Sequence, residues 1–169
     1  MIIRAETSLD HHSIFEVNKL AFGKTDESQL INKIRKGNEF ISELSLIAIL
    51  EKNIVGHILF SKIKIKDQDK EYTSLALAPM AVLPEFQNKG IGSMLVQEGI
   101  QKAKKLGFDH VIVLGHKNYY PKFGFEKASK WNIKCPFEVP DENFMAIELK
   151  LGSLNEVEGI VEYSAAFYE

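Results

Sequence analysis

The sequence predicts an α/β fold: a mixed sheet with helices on both faces, a three-layer α/β/α sandwich. It predicts one domain over residues 1–169. Three observations carry this expectation. The apolar, β-prone runs 44–50 and 54–65 are joined by Glu51-Lys52-Asn53, which reads as a hairpin turn. A further strand-like run, 72–82, leads through glycines into a helix whose apolar residues, Leu95, Val96, Gly99, Ile100, Ala103 and Leu106, share one face. The short apolar run 110–114 follows that helix. Strand, helix and strand in this order form a right-handed crossover between parallel neighbours.

The remaining elements follow in order. Residues 2–6 read as a short edge strand. Ser8 is placed to cap a helix with Ile14, Val17, Leu20 and Ala21 on one face. Thr25 or Asp26 would cap a second helix carrying Leu30, Ile31 and Ile34 and stopping at Gly37. Residues 66–71 read as a charged loop, and Lys62, Lys64 and Lys66 alternate as on a solvated strand face. Lys104 and Lys105 suit the negative end of the long helix, and Gly107 stops it. Residues 119–123 allow only a short helix before Gly124, residues 144–150 alternate as a strand, and residues 159–167 add one more.

Composition removes several function classes. The chain has 169 residues, 45% apolar and 26% charged, with a net charge of -2, so it lacks the basic excess of a general nucleic-acid binder. One cysteine, Cys135, excludes an internal disulfide framework and fits a reducing compartment. The start, Met-Ile-Ile-Arg-Ala-Glu-Thr, lacks the apolar core of a signal peptide. No apolar run approaches the ~20 residues a membrane helix needs. The expected location is cytoplasmic. His11-His12 is an adjacent pair, and the five histidines and single cysteine show no ligand spacing, so no metal site is expected. Cys135 before Pro136 reads as a small buried hydrophobe rather than a nucleophile.

The chemistry concentrates in Ala-Pro-Met-Ala-Val-Leu-Pro-Glu-Phe-Gln-Asn-Lys-Gly-Ile-Gly, residues 78–92. A helix start offers unpaired N–H groups and the positive end of the macrodipole, and glycine lets an anionic ligand approach the backbone. Each glycine inside a helix costs about 1 kcal/mol against alanine. Two in one turn therefore have a reason: an anion held there, close packing of helix on strand, or a flexible turn. A P-loop spelling is absent, and Gly90-Ile91-Gly92 lacks the third glycine of a dinucleotide fingerprint. Pro79 cannot donate a ladder hydrogen bond, so it marks a bulge or splay, or protects an edge.

Gln87-x-x-Gly90-x-Gly92 resembles the Gln/Arg-x-x-Gly-x-Gly/Ala pattern of the GNAT superfamily of acyl-CoA-dependent N-acetyltransferases. Downstream, Tyr-Tyr-Pro-Lys-Phe-Gly-Phe, residues 119–125, looks like the superfamily's Phe-Tyr-x-Lys-x-Gly-Phe segment. The longer string is similar to the YhbS-like predicted acetyltransferases, over about residues 45–150. The resemblance implies a mixed, mostly antiparallel sheet whose parallel fourth and fifth strands splay, with the pantetheine arm in the gap. It implies acetyl-CoA or CoA held by the backbones of Met80, Ala81 and Val82 along the arm. The pyrophosphate would be cradled by Gln87, Asn88, Lys89, Gly90, Ile91, Gly92 and Ser93.

By the same resemblance Tyr120 is placed to protonate the departing CoA sulfur. A phenol near pKa ~10 can donate to a thiolate whose acid lies near ~8.5. The alternative is that Tyr119 and Tyr120 are both packing aromatics. Val113 stands where many members carry an asparagine. His116, just past the carboxyl end of a central strand, is the best-placed general base, with backbone hydrogen bonding as its other reading. His57 and Glu85 are weaker candidates, and deprotonation through ordered water, without a dedicated base, is the remaining alternative. The expected activity is direct acetyl transfer to a primary amine of a small molecule or protein in a ternary complex. The other class in view is a CoA-binding module without turnover. Homodimerisation through the last strands is compatible with the sequence, although no residue pattern there requires it.

Overall fold

The computed structural model describes residues 1–169. It divides into two compact units, residues 1–61 with 78–103, and residues 62–77 with 104–169.

In the first unit, β1 (Ile2–Ala5) pairs antiparallel with β2 (Ser45–Leu50), and β2 with β3 (Asn53–Asp67). The β2–β3 link is two residues, Glu51 and Lys52, at φ 50° and 70°. Two successive left-handed residues make the turn whose twist matches a hairpin. β4 (Lys70–Val82), of which residues 78–82 belong to this unit, lies beside β3. Three helices belong here: α1 (His11–Phe22), α2 (Asp26–Arg35) and α3 (Ile91–Lys105).

The alternation of β3 places helices on both faces of this unit's sheet. Gly56 and Phe60 face α3: a Cβ on Gly56 would lie 3.0 Å from Leu95 Cδ1, and a Cβ on Gly99 would overlap the Phe60 ring. His57 points the other way, where Asn18 of α1 donates to its Nδ1 at 3.4 Å. α2 packs on α1, with the Ser28 hydroxyl donating to the Phe15 carbonyl at 2.8 Å. Leu20, expected on the apolar face of α1, is 55% exposed, and Asn18 is buried instead. The helix turns Asn18 inward because His57 supplies a partner there. The expected Ser8 cap is also corrected. Residues Ser8–Asp10 form a 3₁₀ turn, in which the Asp10 carboxylate accepts from the Thr7 amide at 2.7 Å and from Arg4 at 2.8 Å. The Arg4 guanidinium and the Thr7 donors hold that carboxyl down to about 2.

A polar chain runs through the sheet face beneath α1 and α2. Asn18 donates to His57 Nδ1, so Nε2–H donates to Ser45 Oγ at 3.0 Å, and Ser45 donates to the Glu6 carboxylate. Arg35 of α2 meets the same carboxylate through two N–H groups at 2.9 and 3.1 Å, and His11 of α1 meets it at 2.8 Å. A buried carboxylate is tolerated only when paired and hydrogen-bonded. Here the partners that satisfy it come from α1, α2 and β2.

In the second unit, β5 (His110–Leu114) runs parallel to β4 through Leu75↔Val111 and Ala76↔Ile112. The two-residue strands β6 (Glu126–Lys127) and β7 (Ile133–Lys134) follow. β8 (Phe144–Glu148) is antiparallel to both β5 and β6. β9 (Gly159–Glu162) is antiparallel to the end of β3 and parallel to β7. The core joins Ile63, Ile65, Ile112 and Phe144 to Leu154 and Val161. The expected charged loop at 66–71 shrinks to the turn Gln68-Asp69, with Gln68 at φ 52°. β3 and β4 extend into it because Lys64 and Lys66 pair across with Glu71, and Lys66 with Glu162. Leu106, expected on the apolar face of α3, lies past its end and is 43% exposed. No helix is long and apolar enough to cross a membrane.

Alanine is the better helix former by about 1 kcal/mol, yet Gly99→Ala puts a methyl group into the Phe60 ring. The substitution should lower stability by about 1–3 kcal/mol. Urea unfolding measures it, and a Gly99→Ala variant as stable as the wild type would show that α3 does not need this close approach.

Candidate functional site

The first group of candidate residues lies in the first unit, on the tail of β4 and the start of α3. The Leu83 amide donates to the Val55 carbonyl of β3 at 2.9 Å. Strand alternation then turns the backbone groups of Ala81 toward β3 and those of Met80 and Val82 away from it. Pro79, preceded by a cis peptide bond, is buried. After a 3₁₀ turn, Pro84–Phe86, residues 87–90 form an exposed turn with Asn88 at φ 62° and Gly90 at φ 84°. A side chain at Gly90 would meet nothing within 4 Å, so backbone conformation rather than space selects glycine there.

The first intrahelical hydrogen bond of α3 runs from the Met94 amide to the Gly90 carbonyl at 3.1 Å. The amides of Ile91 and Gly92 therefore stand ahead of the helical ladder. Ile91 is buried and fixes the helix start, while Gly92 and Ser93 are half-buried. The Gln87 side chain donates to the Val82 carbonyl at 3.0 Å, tying this turn to the end of β4. Lys89 lies over the Phe86 ring, its Nζ 5.4 Å from the centroid. The end of β4 at Met80, Ala81 and Val82 thus leads, through the turn at 84–86, to residues 87–93, with the Gln87–Val82 bond tying the two stretches together. The second stretch ends at a helix N-terminus, an arrangement suited to an amide-bearing chain ending in phosphates.

The second group, His116 and Tyr120, lies in the second unit at the carboxyl end of β5. The Gly115 amide donates to the Asn143 carbonyl at 2.9 Å. The His116 carbonyl accepts the amides of Tyr119 and Tyr120 at 3.1 and 3.3 Å, which starts the 3₁₀ turn Tyr120–Phe123. That turn ends at Gly124, φ 106°. Tyr120 is 8% exposed, edge-on to both Tyr119 (5.1 Å) and Phe125 (5.6 Å), with its ring pressed on Gly115 where a Cβ would collide. Burial, with Tyr119 adding to it, pushes the Tyr120 phenol up to about 12. The Tyr119 ring carries the Lys122 ammonium at 4.1 Å. The His116 side chain is exposed.

Val113 is buried. Asn118 lines a cavity of about 360 Å³ with Lys117, Pro121, Phe125, Glu142 and Met145. His57 is excluded as a base: it is fully buried, and desolvation, helped by Arg35, pulls its imidazole down to about 3. Cys135 is half-buried, and burial pushes its thiol up, away from the thiolate a nucleophile needs. No three histidine, cysteine, aspartate or glutamate side chains converge as metal ligands. Sequence reasoning passed over two features that shape this region. Gly115 makes room for the Tyr120 ring, and its only sequence signal is glycine directly after an apolar strand. Ser74 bonds the His110 ring of β5, a contact between positions 36 apart that no local pattern announces.

A family model described as the acetyltransferase (GNAT) family matches residues 12–125. The uncharacterized N-acetyltransferase YjhQ of Escherichia coli K12 is 37% identical over 135 residues, 79% of this chain and 75% of its own. The crystal structure of YhbS from Escherichia coli in complex with CoA matches with a TM-score of 0.92 at 27% identity, covering 99% of this chain and 92% of that one. A GNAT acetyltransferase of Brucella melitensis in complex with acetyl-CoA matches with a TM-score of 0.80 at 29% identity, covering 98% and 97%. The fold is therefore that of GNAT acetyltransferases, with the parallel β4–β5 pair inside a mixed sheet.

The Tyr120 phenol should ionise near pH 12 in the folded protein, above its ordinary value of about 10. Because the shift is upward, its contribution to stability is complete below about pH 10 and is lost as pH rises through about 12. Ultraviolet titration of wild type minus Tyr120→Phe isolates it. A difference titrating below about pH 10.5 would place the phenol in a far wetter site than its burial describes.

Proposed function

From the premise that the chain belongs to the acetyltransferase (GNAT) family, we propose that it transfers an acetyl group from acetyl-CoA to a primary amine. Transfer is direct, within a ternary complex, and residues 1–169 act as one cytoplasmic catalytic domain. The observation that carries this reading is the run from the end of β4 at Met80 through the Gln87-tied turn to the start of α3, in a chain matched along its length by CoA-bound YhbS. Met80, Ala81 and Val82 lie along the pantetheine arm, with Met80 and Val82 supplying the backbone groups turned away from β3. Gln87, Asn88, Lys89, Gly90, Ile91, Gly92 and Ser93 hold the pyrophosphate, and no resident metal takes part.

In the reaction the neutral amine attacks the thioester carbonyl, the C–N bond forms and the C–S bond breaks. The attacking nitrogen loses a proton to His116, and the thiolate leaves. With its phenol held near 12, Tyr120 favours its own proton over that of a thiol near pKa ~8.5. It therefore acts as a hydrogen-bond donor to developing negative charge on sulfur rather than surrendering the proton early. The acceptor is an amine-bearing small molecule or protein.

Thiol release from acetyl-CoA with a panel of amines tests the activity, and tight CoA binding with no release for any amine would leave a binding module instead. Tyr120→Phe should lower kcat by about 10²-fold, with KM for acetyl-CoA changed by less than about threefold. An unchanged kcat removes the assignment. His116→Ala should lower kcat/KM for the amine by about 10²-fold at neutral pH and less at high pH, where the free amine is already abundant. Equal loss at both pH values would mean that His116 does not take the proton.

A further inference from the structure

β4 and β5 are joined by a backbone ladder only two residue pairs long, Leu75↔Val111 and Ala76↔Ile112. On its other side β5 pairs with β8 along its whole length, from His110↔Glu148 to Leu114↔Phe144. Immediately before the short ladder, Ser74 and His110 face each other, 1% and 4% exposed. The His110 Nδ1 lies 2.7 Å from the Ser74 hydroxyl, and that hydroxyl donates to the His110 carbonyl at 3.2 Å. Both contacts are satisfied together only if Nδ1 carries the proton and donates to serine. Two side-chain hydrogen bonds thus reinforce a junction that has only two backbone pairs.

We propose that Ser74 and His110 are positioning residues for the acyl-CoA donor: their bridge pins the closed end of the two-pair ladder from which β4 runs on toward Met80. This rests on the reading that the β4 backbone beyond this ladder holds the pantetheine arm. Those groups receive a ligand well only if the strand is already set in register when the ligand arrives, because ordering a strand on binding subtracts from affinity. A two-pair ladder frays readily, and in a sheet a slip of one residue turns every side chain to the wrong face. The bridge prevents both at the closed end. Burial disfavours the charged imidazole, against the opposing pull of Asp109 and Glu148, so the neutral ring stays a fixed donor.

The test uses Ser74→Ala and the double variant Ser74→Ala/His110→Phe in the full chain. The double variant replaces both partners by apolar groups of similar shape, which preserves stability better than orphaning one buried nitrogen. Calorimetric titration with CoA, well below Tm, should show Kd raised about fivefold in both variants, with Tm of the double variant near wild type. Hydrogen exchange at Leu75 and Ile112, the amides that this register turns into the β4–β5 ladder, should quicken about tenfold, while Met145 and Ile147 of β8 stay protected. A double variant that binds CoA as tightly as wild type, with unchanged exchange at those two amides, overturns the proposal. Wild-type protein that does not bind CoA would overturn the donor reading and the bridge's role in it. The exchange comparison, which needs no ligand, distinguishes that failure from a bridge that does not hold the strands.

Discussion

Every backbone N–H and C=O in a protein interior needs a partner, and β4 finds only two pairing positions on β5. That shortfall is the constraint from which the candidate donor site follows. β3 takes the groups on one side of β4, through to the Leu83 amide on the Val55 carbonyl. Alternation leaves those of Met80 and Val82 turned away from β3, and one of them, the Val82 carbonyl, is taken by the Gln87 side chain. A strand side turned away from its neighbour, next to a helix N-terminus, suits an extended, hydrogen-bonding, phosphate-ended molecule. In the function proposed above, that molecule is coenzyme A.

A different constraint governs the first unit's helical layer. Glu6 is a buried carboxylate, and its cost is offset by Arg35, His11 and Ser45, with His57 and Asn18 completing the chain. The donors come from α1, α2, β2 and β3, so satisfying one charge fixes several elements at once. Burial within that layer, with the Arg35 charge nearby, keeps His57 neutral far below its ordinary range. It is a hydrogen-bonding member of the interior and has no access to a reacting amine.

Glycine sets the finer geometry. Gly99 lets α3 approach Phe60, and Gly115 lets the Tyr120 ring lie on the backbone at the end of β5. That contact buries the phenol, and burial is what raises its affinity for its proton. The role proposed for Tyr120, hydrogen-bond donor rather than early proton source, thus follows from a packing contact with a residue that has no side chain.

Local pattern carried much of the architecture. The period of α3, the hairpin at Glu51-Lys52, the crossover from β4 to β5 and the glycine turn at 87–92 all follow from interactions within a few residues. Local sequence therefore determined them, and the resemblance pointed to the donor. Other features depend on partners far apart in the chain. Asn18 turned inward to His57 in place of Leu20, β3 and β4 ran on through the expected charged loop, and the two-residue strands β6 and β7 formed only on neighbours already in place. Ser74 met His110 across the short ladder of the parallel β4–β5 pair. Hydrophobic period and turn chemistry are written residue by residue. Which buried polar atom meets which is decided only when the chain closes, because desolvation makes each such group seek whatever partner the fold brings within reach.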